Sequence, residues 1–380
     1  MGDDAEAPRC ATGPADDEVY EWPWPTGPGA DFVLGKQEEL AGLLATRRPV
    51  FLDTNFWVMA RQAALAESDD PELILLLGAL RMAVGSGRAF FPVTSDLIEE
   101  FSKQSPERLQ GTLMMVDALS LGVAMVPSQE RSAIEIERFS ARSHPDYPPQ
   151  ARPLWTAYAF ALGYQDLRLP GIDVDDTMLV RLAEKAWMAP PSLWSRDHSG
   201  IFDAKSGSER LAAFLNEQEA LHADEIDSLA TAIRIEIAGA ASMIEGIAAR
   251  EYRRIAAAAG HAAEASDVAG SREVGRKMAQ MFAAALSQDV NRRALPSLYI
   301  GAMLHAAVRA EKKRKIKPND IFDFRHAAAA LPHCAAFFTD GPLKKLITSG
   351  HTGLDKLYGC RIAATPAEAI AILKDLIFTD

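Results

Sequence analysis

Four short acidic segments hold the residues of this chain that could do chemistry: FLDTN at 51–55, TSDLIEEF at 94–101, NDIFDFRHA at 319–327 and FFTDG at 337–341. Asp53 follows the apolar run VFL and Asp340 follows AAFFT, where buried parallel strands would end. In an open parallel sheet ligands bind outside the carboxyl ends of the strands, so the two aspartates share one crevice if their strands are neighbours. Helices that start near the same edge then add Glu100 and Asp323. Four carboxylates so placed repel one another unless a hard cation sits among them, and oxygen-only sites select Mg²⁺ or Mn²⁺. The expected chemistry is metal-dependent hydrolysis of a phosphodiester.

Each residue has a plainer reading beside this one. Asp53 alone would simply cap the next helix, a position that Asp and Asn favour. Glu99 and Glu100 are adjacent, so a helix turns them about 100° apart and one of the two faces a shared centre; Glu100 is the expected one. Asp320, Asp323 and His326 recur at steps of three after Pro318, along one side of a helix. Of these, Asp323 is the expected ligand, Asp320 a cap or supporting residue, and His326 a packed or hydrogen-bonded core residue.

The chain has 380 residues, 48% of them apolar, enough for a substantial core. Its three cysteines, Cys10, Cys334 and Cys360, show no paired spacing, which argues against a disulfide framework or a zinc site and suits a reducing cytoplasm. The first residues lack the basic and apolar regions of a signal peptide, and no apolar stretch is long enough for a membrane span. The net charge of −12 is unusual for a nucleic-acid partner, but residues 1–40 carry ten acids against Arg9 and Lys36. The remainder is close to neutral. Five bases stand in EKKRKIK at 311–317, just before the third acidic segment, and Lys344 and Lys345 follow the fourth. Lys312, Lys313, Arg314, Lys344 and Lys345 are thus candidates to hold substrate phosphates. The basic run taken alone reads better as the solvated, dipole-matched end of a helix.

These residues must be positioned by an alternating α/β pattern. Strands are predicted at 49–53, 89–93, 122–126, 335–339 and 359–364, with helices between them. Residues 1–45 form an acidic, Pro- and Gly-rich segment read as a disordered tail, with a docking patch at Glu21-Trp22-Pro23-Trp24-Pro25. Residues 46–145 and 296–380 make the two halves of the core, and 146–295 a helical insertion without strands. Within it Ile226, Leu229, Ile233, Ile237, Ala240, Ile244 and Ile247 have the spacing of a coiled-coil seam. That spacing predicts one long helix over 220–260, packed against Val274, Met278, Met281 and Ala285 or across a dimer.

The four segments resemble the motifs of PIN-domain nucleases, a family that includes the ribonuclease toxins of toxin–antitoxin pairs. FLDTNFW is similar to the family's opening strand with its first metal-binding acid, Asp53. PVTSDLIEEF is similar to the second station, with Glu100 six residues after Thr94. DFRHAAAA and FFTDG are similar to the third and fourth, supplying Asp323 and Asp340, and GCRIAATPAEAIAIL to the last strand and helix. The resemblance covers about the first and last hundred residues outside the tail and the insertion. It implies an α/β fold, a PIN-like parallel sheet of about five strands flanked by helices, and a metal-dependent nuclease, above all a ribonuclease. Asp53, Glu100, Asp323 and Asp340 are then both catalytic and metal-binding, in an Mg²⁺ or Mn²⁺ site, with Thr54, Asn55, Thr339 and Asp320 supporting them. The implied partners are single-stranded or structured RNA, a homodimer mate through the insertion and a protein inhibitor, with no membrane.

Two other readings compete. A haloacid-dehalogenase-type phosphatase also ends its first strand in Asp but needs a second Asp two residues on, where this chain has Asn55. A catalytically silent PIN-like scaffold would act through the insertion, and the presence of all four acids argues against a lost site.

Overall fold

A computed structural model describes residues 24–165, 174–196, 204–221, 225–311 and 314–378. Its strands are β1 (Arg48–Leu52), β2 (Ala89–Phe90), β3 (Val123–Met125), β4 (Trp155–Ala157), β5 (Ala336–Phe338) and β6 (Arg361–Ala363). Four make a parallel sheet in the order β2-β1-β5-β6. Val50, Phe51 and Leu52 of β1 are fully buried, as are Ala336, Phe337 and Phe338 of β5. A strand covered on both faces needs an unbroken apolar run, and these two have one. Helices flank the sheet, so the α/β class holds. The two central strands pair in register, Val50 with Ala336, Phe51 with Phe337 and Leu52 with Phe338.

The expected fifth strand forms but lies outside this ladder. Pro92 has no N–H to donate, and β2 ends at Phe90. A single parallel bridge, Val93 to Ala124, then links the edge to β3. β3 pairs instead with antiparallel β4, whose Trp155 packs edge-on against Phe90 with centroids 5.1 Å apart. β4 corrects the expectation of a strand-free insertion: β3 needed a partner on its second edge, and the nearby segment Trp155–Ala157 supplied it.

The expected tail is also shorter than its composition suggested. Pro28–Leu44 is a helix, with Pro28 in its first turn. Its Val33 joins Ala157, Phe160 and Ala183 in a small core. Four charged residues of this helix, Asp31, Lys36, Glu38 and Glu39, masked an inner face that includes Ala30, Val33 and Leu44. Of the docking patch, Trp24 lies among the described residues. Its indole N–H donates to Glu137 at 3.0 Å, and the Arg152 and Arg250 guanidiniums lie 3.9 and 4.7 Å from its ring centroid.

Within the insertion, the single long helix over 220–260 is broken. Leu229–Ser242 and Glu245–Ala258 are separate helices, interrupted at Met243 and Ile244. Ser242 turns its hydroxyl back on the Gly239 carbonyl at 2.6 Å, competing with the helix ladder at that end. Ile226, Ile237, Ile244 and Ile247 are buried as the seam predicted, and they pack within the chain. The partner face is displaced by one residue: Val268–Ala285 buries Ser271, Gly275, Ala279 and Phe282, while Met281 is 64% exposed. Small side chains decide this register. Gly275 lies so near Glu245–Ala258 that a Cβ there would meet Ala249 Cβ and the Glu245 carbonyl at 2.6 Å. Ile237, Ala248 and Phe282 belong to the same apolar core as β1 and β5, so the insertion and the sheet share one interior. No helix among the described residues is long and apolar enough to cross a membrane.

Gly275→Ala tests this contact. In an open helix the change gains up to about 1 kcal/mol. Here overpacking against backbone costs about 1–3 kcal/mol, so urea denaturation is expected to show a net loss, and a net gain would contradict the close crossing.

Candidate metal centre

The candidate site forms where the sheet changes direction. From β1 the chain proceeds to β2 on one side, and from β5 to β6 on the other, so the crevice between the ends of β1 and β5 is a topological switch point. Asp53 leaves β1 here. Its backbone N–H donates to the Phe338 carbonyl at 2.9 Å, and its side chain caps the helix Thr54–Ala64 by accepting from the Asn55 N–H at 3.4 Å. Thr339 leaves β5 alongside, fully buried, and its hydroxyl donates to Asp53 Oδ2 at 3.1 Å. Asp340, the next residue, caps the helix Gly341–Thr348 by accepting from the Leu343 N–H at 2.8 Å.

Two helices complete the site. Thr94 caps Ser95–Phe101, accepting from the Leu97 N–H, and the helix carries Glu100 toward Asp53. Glu100 Oε2 accepts from the Thr54 hydroxyl at 2.5 Å. Pro318–Ala330 carries Asp323 and His326. His326 is 1% exposed, its ring centroid is 5.6 Å from that of Phe51, and its Nε2 is 3.5 Å from Glu100 Oε2. Potential ligand atoms of Asp53, Glu100 and His326 all lie within 4.8 Å of one another.

Asp323 and Asp340 stand outside that tight group but are coupled to it. Burial, together with the charges of Asp53, Asp340, Glu100 and Asp320, pushes the Asp323 carboxyl up to about 8. Burial also raises Asp53; Glu100 adds to this, while His326, Thr339 and the Asn55 N–H oppose it. Asp53 and Asp323 thus favour their protonated forms, chiefly through burial and secondarily through neighbouring carboxylates.

The supporting residues fare unequally. Thr54 and Thr339 do orient the two inner acids. Asn55 contributes through its backbone, its side chain being exposed. Asp320 is committed to the start of its own helix, accepting from the Lys317 N–H at 2.8 Å and from Arg314 at 3.1 Å. Arg314 is thereby already paired, and Lys344 is paired with Glu368 at 2.6 Å. Neither is free to hold a phosphate as the basic run suggested. Lys345 is exposed at the surface, and Lys312 and Lys313 lie outside the described residues. Arg325, 46% exposed by its side chain and 3.2 Å from Asp96, is a cation near the acids that charge-run reasoning missed.

His326 is buried and packed as expected, without a hydrogen-bond partner and with two carboxylates beside it. Its sequence signal was the three-residue step from Asp323, which sets both on one side of the helix. Comparison with known proteins returns no match: no family model, curated protein or solved structure is similar to this chain. The resemblance to PIN-domain nucleases thus rests on the motifs themselves.

The raised Asp323 carboxyl gives stability a definite pH dependence. Between its ordinary 3.8 and its folded value of about 8 the native state holds a proton that the unfolded chain has released. Raising the pH through that window therefore favours unfolding. In chelator, urea denaturation is expected to show stability falling from pH 5 to pH 8, with a slope of up to about 1.4 kcal/mol per pH unit for each such proton. Asp323→Asn flattens the slope, and an unchanged slope would show that this carboxyl is not held among like charges.

Proposed function

We propose that this chain is a metal-dependent nuclease that hydrolyses phosphodiester bonds, with RNA as its substrate. The observation that supports this reading is the meeting of Asp53 and Glu100 beside the switch point between β1 and β5, with Asp323 coupled by charge to both of them and to Asp340. The motif resemblance favours RNA over DNA.

The residues suit a divalent cation such as Mg²⁺ or Mn²⁺. Asp53 and Glu100 would hold it, with Asp323 and Asp340 beside them, and its positive charge would balance carboxylates that otherwise keep their protons. Such an ion lowers the pKa of a water and neutralises charge on a phosphodiester during in-line displacement. The chain's own contribution is to hold the acids rigid. Thr339 fixes Asp53 and Thr54 fixes Glu100, while the ends of two strands and the starts of the two helices that follow them set the backbone of Asp53 and Asp340. With the phosphate backbone as the reacting group, bases are not read at this site.

Asp53→Asn is the decisive variant because Asn caps a helix as well as Asp does. The fold should survive, while Mn²⁺-dependent cleavage of single-stranded RNA falls at least about 100-fold, or about 2.7 kcal/mol of transition-state stabilisation. Wild-type turnover in this variant would remove the assignment. At a free Mn²⁺ concentration about one hundred times its dissociation constant, the wild type should gain roughly 2.7 kcal/mol of stability, and Asp323→Asn much less. Cation-dependent melting without cleavage of RNA or DNA would identify a binding protein instead.

A further inference from the structure

We propose that His326 Nε2 is a direct ligand of the cation, so that the site is a mixed nitrogen and oxygen centre preferring Mn²⁺ to Mg²⁺. This deepens the cation-site reading above and rests on it. The observation behind it is a polar group left without a partner. His326 is 1% exposed, and neither of its ring nitrogens has a hydrogen-bond partner. The 3.5 Å approach of Nε2 to Glu100 is an electrostatic contact without hydrogen-bond geometry. Glu100 Oε2 already accepts from Thr54, and Asp53 Oδ2 from Thr339.

Leaving a buried donor or acceptor unmade is costly, so an imidazole kept in this state beside two carboxylates needs an explanation. A purely packed histidine would turn a nitrogen toward a carbonyl or hydroxyl. Here the ring packs on Phe51, its Nε2 is 3.5 Å from Glu100 Oε2, and one of its nitrogens lies within 4.8 Å of ligand atoms from both Asp53 and Glu100. A neutral imidazole presents a lone pair on one nitrogen, and three lone-pair donors facing one space are jointly satisfied by a cation. Carboxylate and water oxygens suit Mg²⁺, Ca²⁺ and Mn²⁺, whereas imidazole favours the transition metals. Mg²⁺ also sheds water reluctantly and keeps to oxygen. One nitrogen among oxygens therefore moves the preference toward Mn²⁺. Loss of that nitrogen should matter for Mn²⁺ and scarcely for Mg²⁺.

Calorimetric titration of the metal-free full chain with MnCl₂ and with MgCl₂ tests the preference. The wild type is expected to bind Mn²⁺ at least ten-fold more tightly than Mg²⁺. His326→Gln should lose ten-fold or more in Mn²⁺ affinity while its Mg²⁺ affinity stays within about two-fold. Electron spin-echo envelope modulation of wild-type protein loaded with one Mn²⁺ needs no His326 variant to fold. It should show coupling to a directly bound ¹⁴N. Mn²⁺ binding without ¹⁴N coupling, or equal affinity for the two ions, overturns the role of His326 and leaves the nuclease reading standing. Absence of any Mn²⁺ binding overturns both. ¹⁴N coupling in a protein that cleaves no nucleic acid upholds His326 as ligand and overturns the nuclease reading alone.

Discussion

The parallel pairing of β1 with β5 joins Asp53 to Thr339 across 286 residues of chain, and every feature of the candidate centre depends on it. The two strands are apolar on both faces and fully buried at Val50, Phe51, Leu52, Ala336, Phe337 and Phe338. Burying side chains of this size contributes about 1.5–3 kcal/mol each for the larger ones, and the ladder hydrogen bonds fix their register. Once register is fixed, Asp53 and Asp340 emerge at one edge. A slip of one residue would turn Asp53 to the opposite face and separate it from Thr339.

Closing so long a loop is less demanding than its length suggests. Closure entropy grows with the logarithm of length, about 0.6 kcal/mol for each doubling, so the insertion, which roughly doubles the loop, adds only about 0.6 kcal/mol. Much of that is offset because its helices are not a separate body. The helix Leu229–Ser242 packs on Pro296–Ala310, which leads directly to the helix of Asp323 and His326. The insertion thus buttresses the element that delivers two residues of the centre from behind.

The centre itself opposes folding in the absence of a cation. Asp53 and Asp323 both hold their protons more tightly than free carboxyls do, and His326 is buried unpaired. Such groups persist when the surrounding structure over-determines them. That is the case here: Asp53 is fixed by its strand, its capped helix and Thr339, and Glu100 by Thr54. The stability of the sheet is what holds the acids together.

The strands at 49–53 and 335–339, the acid at the end of each, and the helices after them were legible in the sequence because an apolar run ending in a capping Asp is a local signal. So was the buried isoleucine face of the insertion, at residues 237, 244 and 247. The segment Pro28–Leu44 was not, since charge composition hid a helix whose inner face is seen only against Ala157 and Ala183. Nor was the offset of the Gly275 face, which depends on how closely two helices approach. Arg314 and Lys344 carry the same charge in the sequence whether free or paired; their partners, Asp320 and Glu368, were assigned by the fold. His326 is the clearest case. Its spacing from Asp323 is local, but whether a buried imidazole finds a carbonyl or faces two carboxylates is decided by which strand ends and helix starts share the space around it, and that is a property of tertiary structure alone.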